Sequence, residues 1–372
     1  MSGRPYTYQV DVLGSRASRW ITAGLVVVLG WCLAPSPAAA ETAGFDVGDQ
    51  AVVAILARGR GNDVVVRTWD RPVVQVESSA GPPVVERHVG IFGTEKLPLT
   101  APIPPMQYAQ REGGETVGSG MLAPEEFPFS SFRAGPHDVV RVTADGGTHL
   151  VVTVPASTGL LRTAILGGQT TIDGFRGSNL YLLQGSGRIL VNGTSTTAFV
   201  QLNNGRITIE DSTFDRIRLR ANGAQVVFEH CRSRQIEATT VSGAIIYDGG
   251  SFDPGLARFD SQTGNIALGT VAAAQLAGRS QTGRVYTSFD GRTTVQQAPD
   301  GTATANVFGG GPLVNAISSR GNVYLYDGTL ANRHELPPDW RAVREVFATR
   351  RREAQAEPLR NRLPERFPTQ RI

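Results

Sequence analysis

A glycine followed by a short β-branched run returns about every 19 residues, and no other feature constrains the fold as tightly. The anchors are Gly147, Gly168, Gly187, Gly205, Gly223, Gly243, Gly264, Gly283, Gly301 and Gly321, which span 174 residues in nine steps. After most of them the second and fourth residues are apolar: Ile189 and Val191, Ile207 and Ile209, Ile245 and Tyr247, Ile266 and Leu268, Val323 and Leu325. Alternation with a period of two marks a strand with one buried face. A second apolar column follows the glycines by 11 to 14 residues: Leu180, Ala198, Ile217, Ile236, Ala257, Leu276, Val295 and Val314. Two columns with one period mean that each repeat is a coil of at least two strands. A coil of about 20 residues cannot bury its apolar face until neighbours stack on it. The expected fold is all-β, a single parallel β-solenoid with right-handed crossovers.

The glycines are expected at positive-φ corners, where a side chain would be strained. Turn formers precede several of them, as in Asn204-Gly205, Asn222-Gly223 and Ser242-Gly243. After Gly147 and Gly223 the apolar phase slips by one residue, as a bulge or shifted corner would cause. The stretch from Gly301 to Ala305 gives the most loosely packed coil.

Residues 1–40 have the form of a signal peptide. Arg16 and Arg19 precede an apolar run from Ile21 to Ala34, and Ala38-Ala39-Ala40 supplies a small-residue cleavage site. The run is too short to span a bilayer, so no membrane span is expected after cleavage. The remaining chain keeps one cysteine, Cys231, which excludes an intramolecular disulfide. Cys231 is expected to pack as a small hydrophobe or to lie at a coil corner.

The net charge of +3 misleads until it is divided. Arg4, Arg16 and Arg19 against Asp11 give residues 1–40 a net of +2. From Arg333 onward, ten arginines against six acids give +4, which leaves −3 on residues 41–332. A body of that sign is not a nucleic-acid binder.

The repeats occupy 41–332. Gly61 to Val66 already has the anchor form, and Val73-Val74-Val76 has the place of a second column. A Pro/Gly-rich loop at 86–136 interrupts them, and loops of that length without a pattern are often functional. Its Met106, Met121, Phe127, Phe129 and Phe132 are candidates for contact with a partner, against the simpler reading of a flap that buries them itself. A helix is expected within 333–357, with Trp340, Val343 and Phe347 on one face, as a cap over the last coil. Residues 358–372 read as a disordered basic tail.

Catalytic signatures are scarce. The histidines show no metal spacing, and there is no phosphate-binding loop, serine elbow or paired-cysteine motif, so no cofactor and no enzyme activity are expected. One column stands out at the far end of the first strand: Asp173, Asn192, Glu210, Glu229 and Asp248. Stacked coils place such residues about 4.8 Å apart, close to the separation of a retaining glycosidase pair. Any ladder of like residues has that spacing, so it argues for no chemistry by itself. Like charges this close do need relief, which makes Glu210, Glu229 and Asp248 weak candidates for a bridging cation.

The opening Val64-Val65-Val66-Arg67-Thr68-Trp69-Asp70 and the stretch Leu150-Val151-Val152-Thr153-Val154-Pro155, with the glycine-initiated coils, resemble the putative adhesin family of bacterial envelope proteins. The resemblance covers roughly 45–330 apart from the 86–136 loop, and it carries no catalytic residues. It implies a parallel β-helix exported to the periplasm or cell surface, with an envelope protein or glycan as partner. The expected function is a non-enzymatic adhesion-type or scaffold surface. The alternatives are a carbohydrate-active β-helix enzyme and an envelope module tethered by its Arg-rich tail.

Overall fold

The structure, a computed structural model, describes residues 41–79, 84–91, 136–289 and 293–329, all within one compact unit, Ala39–Ile372. The expected signal peptide, C-terminal helix and basic tail lie outside the described residues, as do Met106, Met121, Phe127, Phe129 and Phe132.

The described residues are all-β, with 21 strands joined in one hydrogen-bonded sheet and no helix among them. The first five are β1 (Glu41–Asp46), β2 (Val52–Ala57), β3 (Asn62–Trp69), β4 (Val73–Ser78) and β5 (Val84–Ile91). The central run is β6 (Pro136–Ala144), β7 (His149–Pro155), β8 (Leu160–Asp173), β9 (Asn179–Asn192), β10 (Ser195–Glu210), β11 (Thr213–Glu229) and β12 (Arg232–Thr240). There follow β13 (Ile245–Phe252), β14 (Ala257–Ser261), β15 (Ile266–Thr270), β16 (Ala274–Ser280) and β17 (Val285–Ser288). The last four are β18 (Thr294–Gln297), β19 (Ala303–Val307), β20 (Leu313–Ser318) and β21 (Val323–Asp327).

From β8 to β12 each strand pairs in parallel with the next, and beyond them the main parallel ladders join alternate strands, β11 with β13, β12 with β14 and β13 with β15, so that like positions of the glycine spacing meet. Ile189 faces Ile207, Ile207 faces Val226, Val226 faces Ile245, Ile245 faces Ile266, and Ile266 faces Val323. All six are completely buried. The second column forms a matching ladder, Leu180–Ala198–Ile217–Ile236–Ala257–Val314–Leu276. Both ladders belong to one continuous core. Alternating β-branched side chains thus stack like on like, and each strand depends on its ladder neighbours for burial. The phase slip at Gly223 is explained by register: Gly223 pairs with Asn204, and Ala224 takes the place opposite Gly205.

Order along the chain is not order in space, which the spacing could not reveal. β2 lies between β6 and β8, and β3 lies between β7 and β8, so these early strands are intercalated among later ones. The far end repeats the device: β20 lies between β14 and β16, and β21 lies between β15 and β17. Antiparallel strands then cover both ends, β4 on β7 and β5 on β6 at one, β19 on β16 at the other. Paired strands at the ends leave fewer open edges for another chain to extend.

Several expectations change accordingly. The stretch after Gly301 is no coil: Ala303 and Ala305 are buried in the antiparallel β19. Val295, expected in the second column, sits 40% exposed on the outermost strand β18. Val73-Val74-Val76 runs antiparallel in β4, and the 86–136 loop begins as the strand β5. The outward face is also less polar than the alternation implied. Val227, Ile246, Ala267, Tyr324 and Tyr326 form a second, separate apolar cluster, and Thr208 in the same ladder is 6% exposed. These strands are buried on both faces, the usual state of parallel strands in a covered sheet.

The glycines divide into two classes. Gly168, Gly187 and Gly205 have φ of 137°, 115° and 132°, in keeping with a corner role. Gly243, Gly264, Gly283 and Gly321 do not have positive φ. All seven lie against the carbonyl oxygen of a neighbouring segment, where an added Cβ would collide, so close approach is the requirement they share.

Candidate functional site

The acidic column is assembled as expected: Asp173 faces Asn192, Asn192 faces Glu210, Glu210 faces Glu229, and Glu229 faces Asp248. Its members are relieved in different ways. Asn192 donates from Nδ2 to Asp173 Oδ1 at 3.1 Å, and the hydroxyl of Tyr326 donates to Asp248 Oδ1 at 2.9 Å. Asp248 is buried, whereas Glu210 and Glu229 are half-buried. The chain turns immediately afterwards through left-handed residues, Gly174, Gly193, Asp211, His230 and Gly249, with φ of 66°, 56°, 46°, 51° and 64°. The column therefore marks the ends of β8, β9, β10 and β11, and in β13 the place where the register with β15 shifts. Among the described residues no group of three or more His, Cys, Asp or Glu converges to hold a metal ion.

Cys231 lies just after that corner and is buried, with Sγ 3.4 Å from the Ile209 carbonyl oxygen and 3.3 Å from that of Glu229. Burial pushes its thiol up to about 12. The hydroxyl of Tyr247, 2.7 Å from the Cys231 carbonyl oxygen, is raised well above the ordinary tyrosine value by the same cause. The core here is aromatic, with Tyr247 stacked on Phe252 at 4.5 Å and edge-on to Phe259. Because both acids hold their protons more tightly when folded, their contribution is complete below the unfolded thiol value near 9 and is lost as pH rises toward 12. We expect the melting temperature to fall with pH over that window, and Cys231 to stay unmodified by a thiol reagent until unfolding. Rapid labelling at neutral pH in the folded protein would contradict both expectations.

The most chemically organised surface is the outward face of β11, β12 and β14, and the sequence analysis noted only its mixed composition. Arg216, Arg218 and Arg220 stand at alternate positions of β11. Arg218 Nε donates to Glu237 at 2.8 Å, and Arg216 Nε donates to Gln235 Oε1 at 2.7 Å. Arg234 pairs with Asp215 at 2.6 Å, Arg232 with Asp253 at 2.7 Å, and Arg258 with Asp260 at 2.6 Å. Asp215 and Arg216 face outward together because the β10–β11 register shifts between Thr196 and Ala198, a bulge that re-aims side chains. The hydrogen bond from Arg234 holds the Asp215 carboxyl below its ordinary value.

Toward β8 this face becomes apolar. Tyr181 and Phe199 stack at 4.8 Å, and the Arg162 guanidinium lies over the Tyr181 ring at 5.7 Å. Burial lowers the Arg162 pKa, and its Nε has no hydrogen-bond partner among the described residues. The signal that could have found this face is the register itself, since arginines at i, i+2 and i+4 of a strand share one side.

No protein-family model and no curated protein matches the chain. Among solved structures it is similar to a putative cell adhesion protein from Clostridium sporogenes, with 7% identity, a TM-score of 0.24, and coverage of 77% of this chain and 99% of that one. A similarity of that size transfers neither fold nor function.

Proposed function

We propose that the chain winds as one parallel β-solenoid, exported to the cell envelope, whose outward face is a non-enzymatic adhesion or scaffold surface. The in-register columns with two strands per period support the winding. One observation carries the function: the outward charges are tied across neighbouring strands, as in Arg218–Glu237, Arg234–Asp215 and Arg232–Asp253. Such pairs add little stability at a surface but fix long side chains in a regular array. A catalytic cleft instead gathers groups of perturbed pKa around one reacting position. Here the perturbed groups fall in separate places: Cys231 and Tyr247 in the core, Arg162 with Tyr181 on the covered apolar part of the face, Asp215, Arg232 and Arg234 in exposed pairs, and Asp300 in a turn.

The test is a glycan array with residues 41–372, followed by a search for cleavage products of every glycan retained. Retention without cleavage is the expected result. Release of unsaturated or new reducing ends would replace this function with that of a lyase or hydrolase, and a reporter fused after residue 40 that stays in the cytoplasm would remove the export.

A further inference from the structure

We propose that the outward face of β11 binds an acidic polysaccharide, with Arg216 and Arg220 as the residues that hold its carboxylate or sulfate groups; the proposal rests on the surface-binding function above. The argument starts from charge. On the outward face of residues 213–221 of β11, with β12, β14 and the adjoining Asp253, six arginines meet four acids, a local net of +2. The arginines are Arg216, Arg218, Arg220, Arg232, Arg234 and Arg258, and the acids are Asp215, Glu237, Asp253 and Asp260. Every acid is committed elsewhere: Asp215 to Arg234, Glu237 to Arg218, Asp253 to Arg232 and Asp260 to Arg258. The surplus therefore sits on Arg216 and Arg220.

Their surroundings keep it there. Across the ladder Arg216 faces Gln235, and Arg220 faces Thr239 on one side and Gln201 on the other. All three ladder neighbours are neutral, and the acid beside Arg216 along the chain, Asp215, is held by Arg234. Gln235 accepts from Arg216 Nε. Among the described residues this is the one hydrogen bond of that guanidinium, so its terminal nitrogens remain for a ligand. Arg220 makes no hydrogen bond or ion pair among the described residues, and both arginines are only partly buried. A guanidinium held by one nitrogen presents the other two as a planar fork, the geometry that matches a carboxylate or sulfate.

Four residues of strand separate the two arginines, about 13 Å along a straight ladder. That arrangement suits an extended chain with spaced charges laid along the strand. Two uncompensated charges attract an anionic membrane surface too weakly for stable docking. A body of net −3 repels densely charged nucleic acid.

The experiment measures binding of residues 41–372 to polygalacturonate and to dextran sulfate, with neutral dextran and anionic vesicles alongside. Wild-type protein should bind one or both acidic polymers, more weakly as salt rises. R216Q/R220Q should lose about tenfold or more in affinity, the worth of one to two charge-assisted hydrogen bonds. R58Q/R60Q removes the same charge from exposed corner residues and should change affinity less than threefold. R216K/R220K keeps the charge without the fork and should fall in between. Equal losses in the two glutamine doubles, no loss in either, or binding to vesicles but not polymers would each overturn the site. If R216Q/R220Q keeps its other array ligands, only this site falls and the surface-binding function stands. A wild-type protein that retains nothing on the array ends both.

Discussion

Ile207→Asp should abolish cooperative unfolding around the central coils and remove most of the stability measured by urea titration. Ile207 is completely buried in β10 and packs between Ile189 and Val226 in the parallel ladder. A carboxylate there has no hydrogen-bond partner, and burying one costs several kcal/mol even after relaxation. Domains of this size are stable by only about 5–15 kcal/mol, and in a stacked array the damage spreads to the neighbours that rely on that coil. Gln201→Asp is the proper control on the same strand. Gln201 faces outward opposite Arg220, so a carboxylate gains a partner and stability should change by less than about 0.5 kcal/mol. Thr208 is no such control, although alternation places it outward. It is 6% exposed between Leu190 and Val227, and Thr208→Asp should be nearly as damaging as Ile207→Asp. Equal, small effects at Ile207 and Gln201 would refute the assignment of inside and outside.

Thr208 also shows where sequence reasoning stops. Interior positions were legible because burial on one face imposes a period of two, and Ile189, Ile207, Ile245, Ile266 and Val323 all stack where the glycine spacing put them. The outward ladder Val227–Ile246–Ala267–Tyr324 was not legible, because a strand covered on both faces reads as a continuous apolar run. Topology was hidden for another reason. Intercalation of β2 and β3 beside β8, and of β20 and β21 beside β15 and β16, leaves the period intact and changes only which coils touch. The acidic column was correctly stacked, but its members' partners, such as Tyr326 on Asp248, come from 78 residues away and have no local signature. The arginine site depends on which acids are already taken, and that is visible only after Asp215 is seen bonded to Arg234.

Gly264→Ala should destabilise the protein by about 3 kcal/mol or more, whereas Gly193→Ala should cost only about 1 kcal/mol, the reverse of what their backbone angles suggest. Gly193 has φ of 56°, yet nothing lies within 4 Å of the position a Cβ would take, so the expense is the left-handed conformation alone. Gly264 does not have positive φ, but its Cβ would collide with the carbonyl oxygen of Gly243 and lie 2.9 Å from Ser261 Oγ. Backbone cannot give way there, because the site is a repeated device. Gly264 N donates to Ser261 Oγ at 2.8 Å, Gly321 N to Ser318 Oγ at 2.8 Å, and Gly283 N to Ser280 Oγ at 2.9 Å. The hydroxyls then reach across the stack, Ser318 to the Gly264 carbonyl at 3.0 Å and Ser280 to the Gly321 carbonyl at 2.7 Å. These serines are buried and in register, Ser261 opposite Ser318 and Ser318 opposite Ser280. The Ser318 and Ser280 hydroxyls thus tie their own turns to the neighbouring segment, and a methyl at Gly264 would push two paired segments apart and leave buried polar groups unpaired. Ser318→Ala should therefore mimic part of the loss, about 1–3 kcal/mol, without any steric conflict. Should Gly193→Ala prove the more harmful of the two glycine variants, left-handed backbone conformation would outweigh close approach between neighbouring segments as the reason this fold needs glycine.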